Sequence, residues 1–360
     1  FNDRIVEIGF RKAFKGDRGS EIHTKKSGVV QDFNRLSYFS ALCQLRKTNL
    51  PIAADGAKIR QPRLLHSTQW GLLCPIHSPD GGNVGLHKHL SLSTHITSGV
   101  SQKKYINYLK SLKYNNDFVG IKLLEECNIH FLNNTTKVFI NGTWIGNTIT
   151  PIKFCNVMRL HKRNHIIDMY TSIYFNIRYN EIIIFTDSGR PIRPLFYFLN
   201  NDLSYERSNI LKLYQDNELN WNKIIKGLDN NQLEYNSNKK IDTLIKNASI
   251  VEYIDTQEAE GIVLAKHNDE RESYDKCRIT HEEIHPSLIL SIMANQTIFP
   301  EHNPYPRNAF ACGQGKQGVS MFHSNFRNRV DKTSLMLNYG QIPLTKSRYY
   351  KYATNDEVPY

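Results

Sequence analysis

The sequence predicts an α+β chain with several structural regions, made of mixed helices, hairpins and ordered loops. Three observations predict this class. Some stretches carry apolar residues at helical spacing, others are short strand-like runs joined by turn residues, and glycine- and proline-rich stretches lie between them. A length of 360 residues allows two or three domains, and 40% hydrophobic residues are enough to form buried cores.

The first third of the chain is predicted to alternate loops with one helix and one strand. Residues 14–30 contain three glycines and no periodic apolar side, so they predict a loop. Residues 31–46 carry apolar side chains on one side of a helix, with Asp32 as its N-cap. Residues 71–86 are rich in glycine and proline and predict an ordered path of tight turns. Weak alternation over residues 87–98 predicts a strand.

The middle of the chain is predicted to contain two helices and two hairpins. Apolar spacing predicts helices over residues 103–130 and 153–169. Asn141 and Gly142 lie between two strand-like runs and are typical of a type I′ turn, because both residues tolerate a positive φ. Tyr179-Asn180 separates two further strand-like runs and predicts a second hairpin.

The last third is predicted to be more irregular. Residues 200–248 are polar, rich in asparagine and partly helical, whereas Val251–Asp255 and Gly261–Ala265 read as short strands. His302–Asn308 predicts a proline-rich loop. Phe310–Met321 can then continue as a helix only if its glycines pack closely against neighbouring side chains.

The charge of the chain is unevenly distributed. Formal net charge is +12, and it divides into +7 over residues 1–95, +1 over residues 96–275 and +4 over residues 276–360. Clusters of basic residues attract phosphate groups by Coulomb force and by counterion release. The two flanks are therefore either nucleic-acid-facing or solvated basic surfaces.

The cysteines and histidines predict no metal site within the chain. None of the six cysteines forms a Cys-x-x-Cys pair, so their spacing argues against zinc and favours reduced thiols. His77, His87, His89 and His95 lie close in sequence, and His87 and His89 would share one face of a strand. A metal site there is conceivable, but no third ligand has regular spacing, so packed or solvated histidines are favoured.

The segment Cys312–Gly318 resembles a phosphate-binding loop without meeting its requirements. Gln317 stands where Ser or Thr would bind magnesium, and no strand precedes the segment. A milder interpretation remains, in which the glycines let the backbone approach a ligand and Lys316 and Gln317 donate hydrogen bonds. Arg307, between Pro306 and Asn308, is either a surface residue or a guanidinium held ready for phosphate oxygens.

The chain has no recognisable catalytic constellation of its own. It contains no Gly-x-Ser-x-Gly elbow, no His-Glu-x-x-His helix and no paired carboxylates in a catalytic setting. These absences favour a binding scaffold over a complete active site, so no catalytic residue is assigned. A free-standing basic nucleic-acid-binding or assembly module is the alternative that the residues leave open.

Several separated blocks, in order along the chain, resemble the second-largest subunit of multisubunit DNA-directed RNA polymerases. They cover nearly the whole chain, which makes the resemblance more specific than any single motif. The blocks are Asn34–Leu86, Thr186–Leu195, Val251–Asp255, Ile284–Ser287, Phe299–Asn308 and Gly315–Gly318. Two departures from the family pattern are the segment His77–Gly81, where many members have Glu-Thr-Pro-Glu-Gly, and Phe310, where many have Tyr.

The resemblance implies a division into regions and a set of site residues. It implies a fork region over 1–98 with two fork loops (residues 14–30 and 50–60), external regions over 99–250 and 251–283, and the start of a hybrid-binding region over 284–360. It implies that Arg307 contacts the phosphates of the incoming nucleotide, and that Lys316 and Gln317 lie near the nucleotide and the RNA end. The residues expected to face nucleic acid are Lys25, Lys26, Arg46, Lys47, Lys58, Arg60, Arg63 and Asn308.

The resemblance also implies the setting in which the chain works. The expected reaction is templated nucleotidyl transfer, in which RNA is made from NTPs on a DNA template, with the chain contacting nucleotide, RNA–DNA hybrid and downstream DNA. Mg²⁺ would be held mainly by the largest subunit and by residues outside this chain. The chain itself would be an internal fragment that is inactive on its own. Expected partners are the largest and the smaller polymerase subunits, template DNA, hybrid and NTPs, with no membrane. The expected location is intracellular: the nucleus for a cellular eukaryotic protein, the cytoplasm or virion for a viral one.

Overall fold

The computed structural model describes residues 4–14, 32–50, 59–111, 120–199, 202–228, 241–265, 279–318 and 328. These residues form helices and several mixed sheets, which confirms the predicted α+β class. Their α-helices are α1 (Ile5–Phe14), α2 (Tyr38–Leu45), α3 (Gln102–Ser111), α4 (Ile129–Asn134), α5 (Pro151–Arg163), α6 (Ser208–Gln215), α7 (Trp221–Lys226), α8 (Ile241–Asn247), α9 (Thr256–Ala259) and α10 (Tyr305–Gly315).

The strands are short, and they build three sheets. They are β1 (Lys47–Asn49), β2 (His87–His89), β3 (His95–Ile96), β4 (Lys122–Leu123), β5 (Thr136–Ile140), β6 (Thr143–Thr148), β7 (Ser172–Asn176), β8 (Glu181–Phe185), β9 (Pro191–Leu199), β10 (Asp202–Leu203), β11 (Val251–Asp255), β12 (Leu264–Ala265) and β13 (His281–Glu282). No helix in the described part of the chain is both long and apolar enough to cross a membrane.

A five-stranded sheet forms the middle of the molecule, in the order β4-β6-β5-β8-β7. Its two hairpins, β5–β6 and β7–β8, are antiparallel, and β5 lies parallel to β8. Both predicted turns are confirmed, since Asn141, Gly142 and Asn180 all have a positive φ. Helices α3 and α5 supply residues to the core of this sheet, where Phe154 and Met158 are fully buried.

Strand β9 is the centre of a second, six-stranded sheet. It pairs antiparallel with β3, β10, β11 and β13, and β12 lies parallel to β13. The third sheet is the antiparallel pair β1–β2, in which Lys47 lies opposite His89. This small sheet belongs to the unit that carries the candidate site.

Some predicted elements have different bounds or a different type. Helix α2 begins after Ser37, whose hydroxyl accepts from the backbone N of Ser40, so Asp32 is not the N-cap. Among the described residues of the predicted helix 103–130, α3, a 3₁₀ turn at Leu124–Glu126 and the start of α4 are helical, whereas Lys122 and Leu123 pair with strand β6. Helix α5 ends at Arg163, six residues before the predicted end.

The proline-rich segment was predicted as a loop, and this interpretation is wrong for its second half. Helix α10 begins at Tyr305 with Pro304 as its N-cap residue and Pro306 in its first turn. Proline fits there because its ring fixes a helical φ and the first amides of a helix have no partner in any case. The predicted loop over residues 14–30 lies almost wholly outside the described residues, as do residues 51–58 of the second fork loop.

Candidate functional site

Helix α10 is held at its start by a short 3₁₀ turn, Pro300–His302, and by two asparagines. The side-chain amide of Asn308 donates to the carbonyl oxygen of Pro300 at 2.7 Å, and that of Asn303 donates to Asn308 Oδ1 at 3.3 Å. Asn308 is buried, with 3% of its surface exposed. Its amide therefore fixes the helix start. The side chain is not exposed at the surface, where the predicted contact with nucleic acid would need it.

Arg307 lies exposed in the first turn of α10. Its guanidinium carbon is 5.9 Å from the centre of the Phe310 ring, an attraction between a cation and the face of an aromatic ring. No carboxylate among the described residues forms an ion pair with it. The guanidinium is thus oriented by an aromatic ring while its hydrogen-bond donors remain available to an anion.

Lys316 lies at the other end of α10 and is turned toward the protein. The hydroxyl of Ser37 donates to the backbone oxygen of Lys316 at 2.5 Å, and Lys316 Nζ lies 3.4 Å from Nε2 of His89. Burial lowers the pKa of the Lys316 ammonium, and the Cys43 thiol acts in the opposite direction. A Cβ on Gly315 would come within 2.3 Å of Met293 Cε, so this glycine packs closely as predicted, whereas a Cβ on Gly313 in the same helix would meet nothing within 4 Å.

The structure does not bring Arg307 and Lys316 together. Nine residues separate them, so they project from opposite sides of the helix, about 14 Å apart along its axis. Gln317 is exposed just beyond the helix, and its backbone N donates to the Gln314 oxygen at 2.9 Å. A single phosphate group cannot contact both Arg307 and Lys316, which separates their predicted roles.

A polar cavity of about 240 Å³ lies beside Lys316. Lys47 lines it as well, so the structure brings together these two predicted contact residues from opposite ends of the chain. The cavity is also lined by Asp32, Ser40, Cys43 and His89. Two lysines and one carboxylate make a cavity suited to an anionic or a mixed polar ligand.

In two of the predicted nucleic-acid contacts, one guanidinium nitrogen donates to the protein's own backbone. Arg46 Nη2 donates to the carbonyl oxygens of Ser91, Leu92 and Thr94, at 2.6, 3.3 and 3.2 Å. Arg63 Nη1 donates to the oxygens of Gly82 and Val84, at 2.7 and 2.8 Å. Arg60 is exposed, and Lys25, Lys26 and Lys58 lie outside the described residues.

Next to Lys316, three buried side chains converge: Cys43 from α2, His77 from the turn-rich segment 71–86 and His89 from β2. One ligand atom of each lies within 4.8 Å of the others. The two imidazole rings stack in parallel, with their centres 3.6 Å apart and a 7° angle between their planes. Burial and the nearby Lys316 lower the pKa of His77 to about 3, and burial with the His77, Lys316 and Lys47 charges lowers that of His89 to about 2, although a backbone hydrogen bond at Cys43 raises it. Both rings are uncharged at neutral pH.

Sequence reasoning noted His77 and His89 but not their third neighbour. Cys43 precedes them by more than thirty residues, and only the pairing of β1 with β2 beside α2 places it there. The other two histidines of the sequence cluster lie elsewhere: His95 is exposed in β3, and His87 is half-buried in β2.

Three family models match the chain in order. They are RNA polymerase Rpb2 domain 3 over residues 31–96, domain 4 over residues 138–198 and domain 6 over residues 293–360. The candidate site combines the first and the last of these, since Cys43, His77 and His89 lie in the domain 3 match, while Arg307 and Lys316 lie in the domain 6 match.

Curated relatives match over almost the whole chain. DNA-directed RNA polymerase II subunit RPB2 of Encephalitozoon cuniculi is 33% identical over 365 residues, which cover 99% of this chain and 29% of the relative. RPB2 of Eremothecium gossypii is 35% identical, covering 93% of this chain and 28% of the relative. DNA-directed RNA polymerase subunit 2 of Acanthamoeba polyphaga mimivirus is 31% identical, covering 98% of this chain and 29% of the relative.

The ordered matches to three Rpb2 domains identify an RNA polymerase chain. More narrowly, the chain belongs to the family of second-largest RNA polymerase subunits. It spans less than a third of the length of the curated relatives that it matches.

Proposed function

We propose that this chain forms part of the core of a DNA-directed RNA polymerase and orients the incoming nucleotide during RNA synthesis on a DNA template. The observation that carries the proposal is the position of Arg307, exposed on the first turn of α10 within the Rpb2 domain 6 match. The ordered matches to domains 3 and 4 support the same function.

The geometry of α10 supports different roles for its two ends. Arg307 presents a planar set of donors that suits the oxygens of a triphosphate, and Phe310 limits its freedom of movement. Lys316 and Gln317, about 14 Å further along the axis, would contact a different group, near the RNA end. Arg307 binds and orients in this proposal; it transfers no proton, because a guanidinium stays protonated.

Mg²⁺, the metal proposed for the reaction, does not fit the described residues. Magnesium takes oxygen ligands, chiefly carboxylates and water. Among the described residues the one group of three converging potential ligands is Cys43, His77 and His89, whose sulfur and nitrogen atoms suit other metals. Ligands for Mg²⁺ would therefore come mainly from the largest subunit and from residues beyond this chain, and no step is assigned to the ion here.

The proposed partners follow from the same function. They are the largest and the smaller polymerase subunits, the template DNA, the RNA–DNA hybrid, downstream DNA and NTPs. Lys47 and the exposed Arg60 are the described residues best placed for nucleic acid, since the Asn308 amide and one guanidinium nitrogen each of Arg46 and Arg63 donate within the protein. The proposed location is intracellular: nuclear in a eukaryotic cell, and cytoplasmic or in the virion for a virus.

The test is the substitution Arg307→Ala in the assembled polymerase. Removing a charged set of hydrogen bonds from such a site costs about 2–4 kcal/mol, so kcat/KM for single-nucleotide addition should fall roughly 30- to 1000-fold. The kcat/KM of Arg307→Lys should lie between those of the unsubstituted enzyme and Arg307→Ala, because lysine retains the charge and loses the planar donor pair.

Arg178 offers a matched control. It is also exposed, and its guanidinium carbon lies 5.6 Å from the centre of the Tyr179 ring, on the β7–β8 turn. Arg178→Ala should leave single-nucleotide addition unchanged. Equal kinetics for Arg307→Ala and the unsubstituted enzyme would refute the nucleotide-orienting role.

A further inference from the structure

The convergence of Cys43, His77 and His89 differs from ordinary packing in its polar atoms. Nδ1 of His77 lies 2.7 Å from the hydroxyl of the buried Ser291, while Nε2 of the same ring is buried without a hydrogen-bond partner. His89 is buried as well, where its Nε2 lies 3.4 Å from Lys316 Nζ and its ring has a backbone hydrogen bond at Cys43. The two histidines are 2% and 3% exposed. Burying Nε2 of His77 without a partner is unfavourable unless a ligand binds it.

We propose that Cys43, His77 and His89 form a binding site for a transition metal ion of the Zn²⁺ class. A thiolate and two neutral imidazoles are the ligands that Zn²⁺ prefers, and they are poor ligands for Mg²⁺ or Ca²⁺. The hydrogen bond between His77 Nδ1 and the Ser291 hydroxyl orients the ring and leaves Nε2 free to bind a metal. Histidines that bind a metal through one nitrogen usually make such a hydrogen bond with the other. Three protein ligands leave a fourth position for water, on the side of the polar cavity that Cys43 and His89 line.

Binding requires small and definite movements. Tetrahedral zinc with bonds of about 2.0–2.3 Å separates its ligand atoms by roughly 3.4–3.6 Å, whereas these atoms now lie within 4.8 Å. The stacked rings must also rotate, because a nitrogen lone pair lies in the plane of its ring. Binding replaces the Cys43 S–H bond with a metal–sulfur bond, and the proton passes to solvent.

Lys316 makes the site sensitive to occupancy. Its Nζ lies 3.4 Å from His89 Nε2, so a metal ion and the ammonium would repel each other at short range. Lys316 also lines the cavity that contains Asp32, and it can withdraw in that direction. This has one consequence that rests on the proposed function. If Lys316 serves the nucleotide site, then occupancy of the metal site slows nucleotide addition.

The experiment uses assembled polymerase that has been treated with a chelator and then titrated with Co²⁺, a visible probe for zinc sites. We expect a thiolate-to-cobalt charge-transfer band and one more bound ion per enzyme than in the Cys43→Ser and His77→Gln variants, counted by mass spectrometry. The matched control is Cys155→Ser, which removes another buried thiol from the core of the five-stranded sheet and should retain the band.

The second arm is Lys316→Met, which removes the competing charge. Its Kd for Co²⁺ should be lower by a factor of about ten or more. The proposal is overturned if the unsubstituted enzyme shows no charge-transfer band, or if Cys43→Ser and His77→Gln bind as many ions as it does. An unchanged Kd in Lys316→Met would overturn the placement of the ion beside Lys316. These readouts measure metal directly, so they stand apart from the kinetic test of Arg307.

Discussion

At the scale of single residues, burial controls the charge of several histidines. His161, on α5, is 3% exposed, and its Nδ1 lies 2.5 Å from the hydroxyl of Tyr108 in the core of the five-stranded sheet. Burial lowers the pKa of His161 to about 4, because a charged ring is poorly solvated there. The folded state therefore resists a proton that the unfolded chain accepts near pH 6.5.

The first prediction concerns the pH dependence of stability at His161. Because its folded-state pKa is lowered, its contribution to stability is retained above about pH 6.5 and lost as the pH falls toward 4. A difference of about 2.5 units corresponds to roughly 3 kcal/mol below pH 4. Between pH 7 and pH 4, the free energy of unfolding should fall less in His161→Gln, which cannot titrate, than in the unsubstituted protein. The two decreases should differ by roughly 3 kcal/mol. Urea unfolding at several pH values measures this, and parallel curves for both proteins would contradict it.

Residue identity alone could not separate binding arginines from structural ones. Arg46 and Arg63 lie in basic, family-like segments, yet their guanidinium groups hold backbone carbonyls of the neighbouring turns. Arg307 and Arg60 have the same chemistry and remain exposed. The difference depends on which carbonyls the fold brings within reach, and that is a property of tertiary structure. The assignment of Arg307 therefore remains a proposal, now supported by its exposure.

At the scale of elements, local turn chemistry was predictable and distant pairing was not. The Asn141-Gly142 hairpin was correct because its turn requires two residues with positive φ, and the sequence supplies both. Lys122 and Leu123 follow a helical pattern of spacing, yet they form a strand because Gly146 and Asn147 offer a sheet edge. The start of α10 was missed for a different reason, since Pro304 and Pro306 are compatible with a loop and with a first helical turn.

A buried set of charges joins helices α5 and α9 to strand β11. Lys162 Nζ lies 2.7 Å from Glu258 Oε2 and 3.7 Å from Glu252 Oε1, and all three side chains are at most 4% exposed. Glu258 Oε1 also accepts from the backbone N of Ile173, at 2.9 Å, which ties β7 to the same set. Burial raises the pKa of Glu258, and Lys162 opposes that shift, so the carboxylate depends on its partner.

The second prediction tests this dependence. Lys162→Met leaves Glu258 buried without its cation, which should lower the free energy of unfolding by about 3–5 kcal/mol. The double variant Lys162→Met/Glu258→Gln removes both charges and should recover more than half of the loss. Lys137 offers a matched control, because its pair with Glu181 is 3.9 Å long and its side chain is 43% exposed. Lys137→Met should cost less than about 1 kcal/mol; an equal cost at both lysines in urea unfolding would show that burial does not matter here.

At the scale of the whole molecule, the six-stranded sheet joins parts of the chain that the sequence divides. Strand β3 lies in the predicted fork region, β9 in the first external region and β11 in the second, and β9 pairs with both of the others. The boundaries at residues 98, 250 and 283 remain predictions, because a shared sheet does not locate a functional division. It does show why Rpb2 domains 3 and 4 are in contact in this chain, through the pairing of His95 with Ile192.

The last prediction concerns the contact between Gly71 and Arg193, which joins these same two parts. Arg193 Nη1 forms a buried ion pair with Glu283 at 2.6 Å, and a Cβ on Gly71 would come within 1.9 Å of the same nitrogen. Gly71→Ala must therefore displace the guanidinium and leave Glu283 without its partner, a loss of several kcal/mol for a buried pair. Gly81→Ala is the matched control, because Gly81 has a similar φ of +84° and open space around it, so it carries only the backbone strain of about 1–2 kcal/mol. Hydrogen exchange in the assembled protein measures the difference. Amides of β9 and β13 should exchange at least tenfold faster in Gly71→Ala than in Gly81→Ala, and equal rates would mean that the ion pair between Arg193 and Glu283 does not stabilise this sheet.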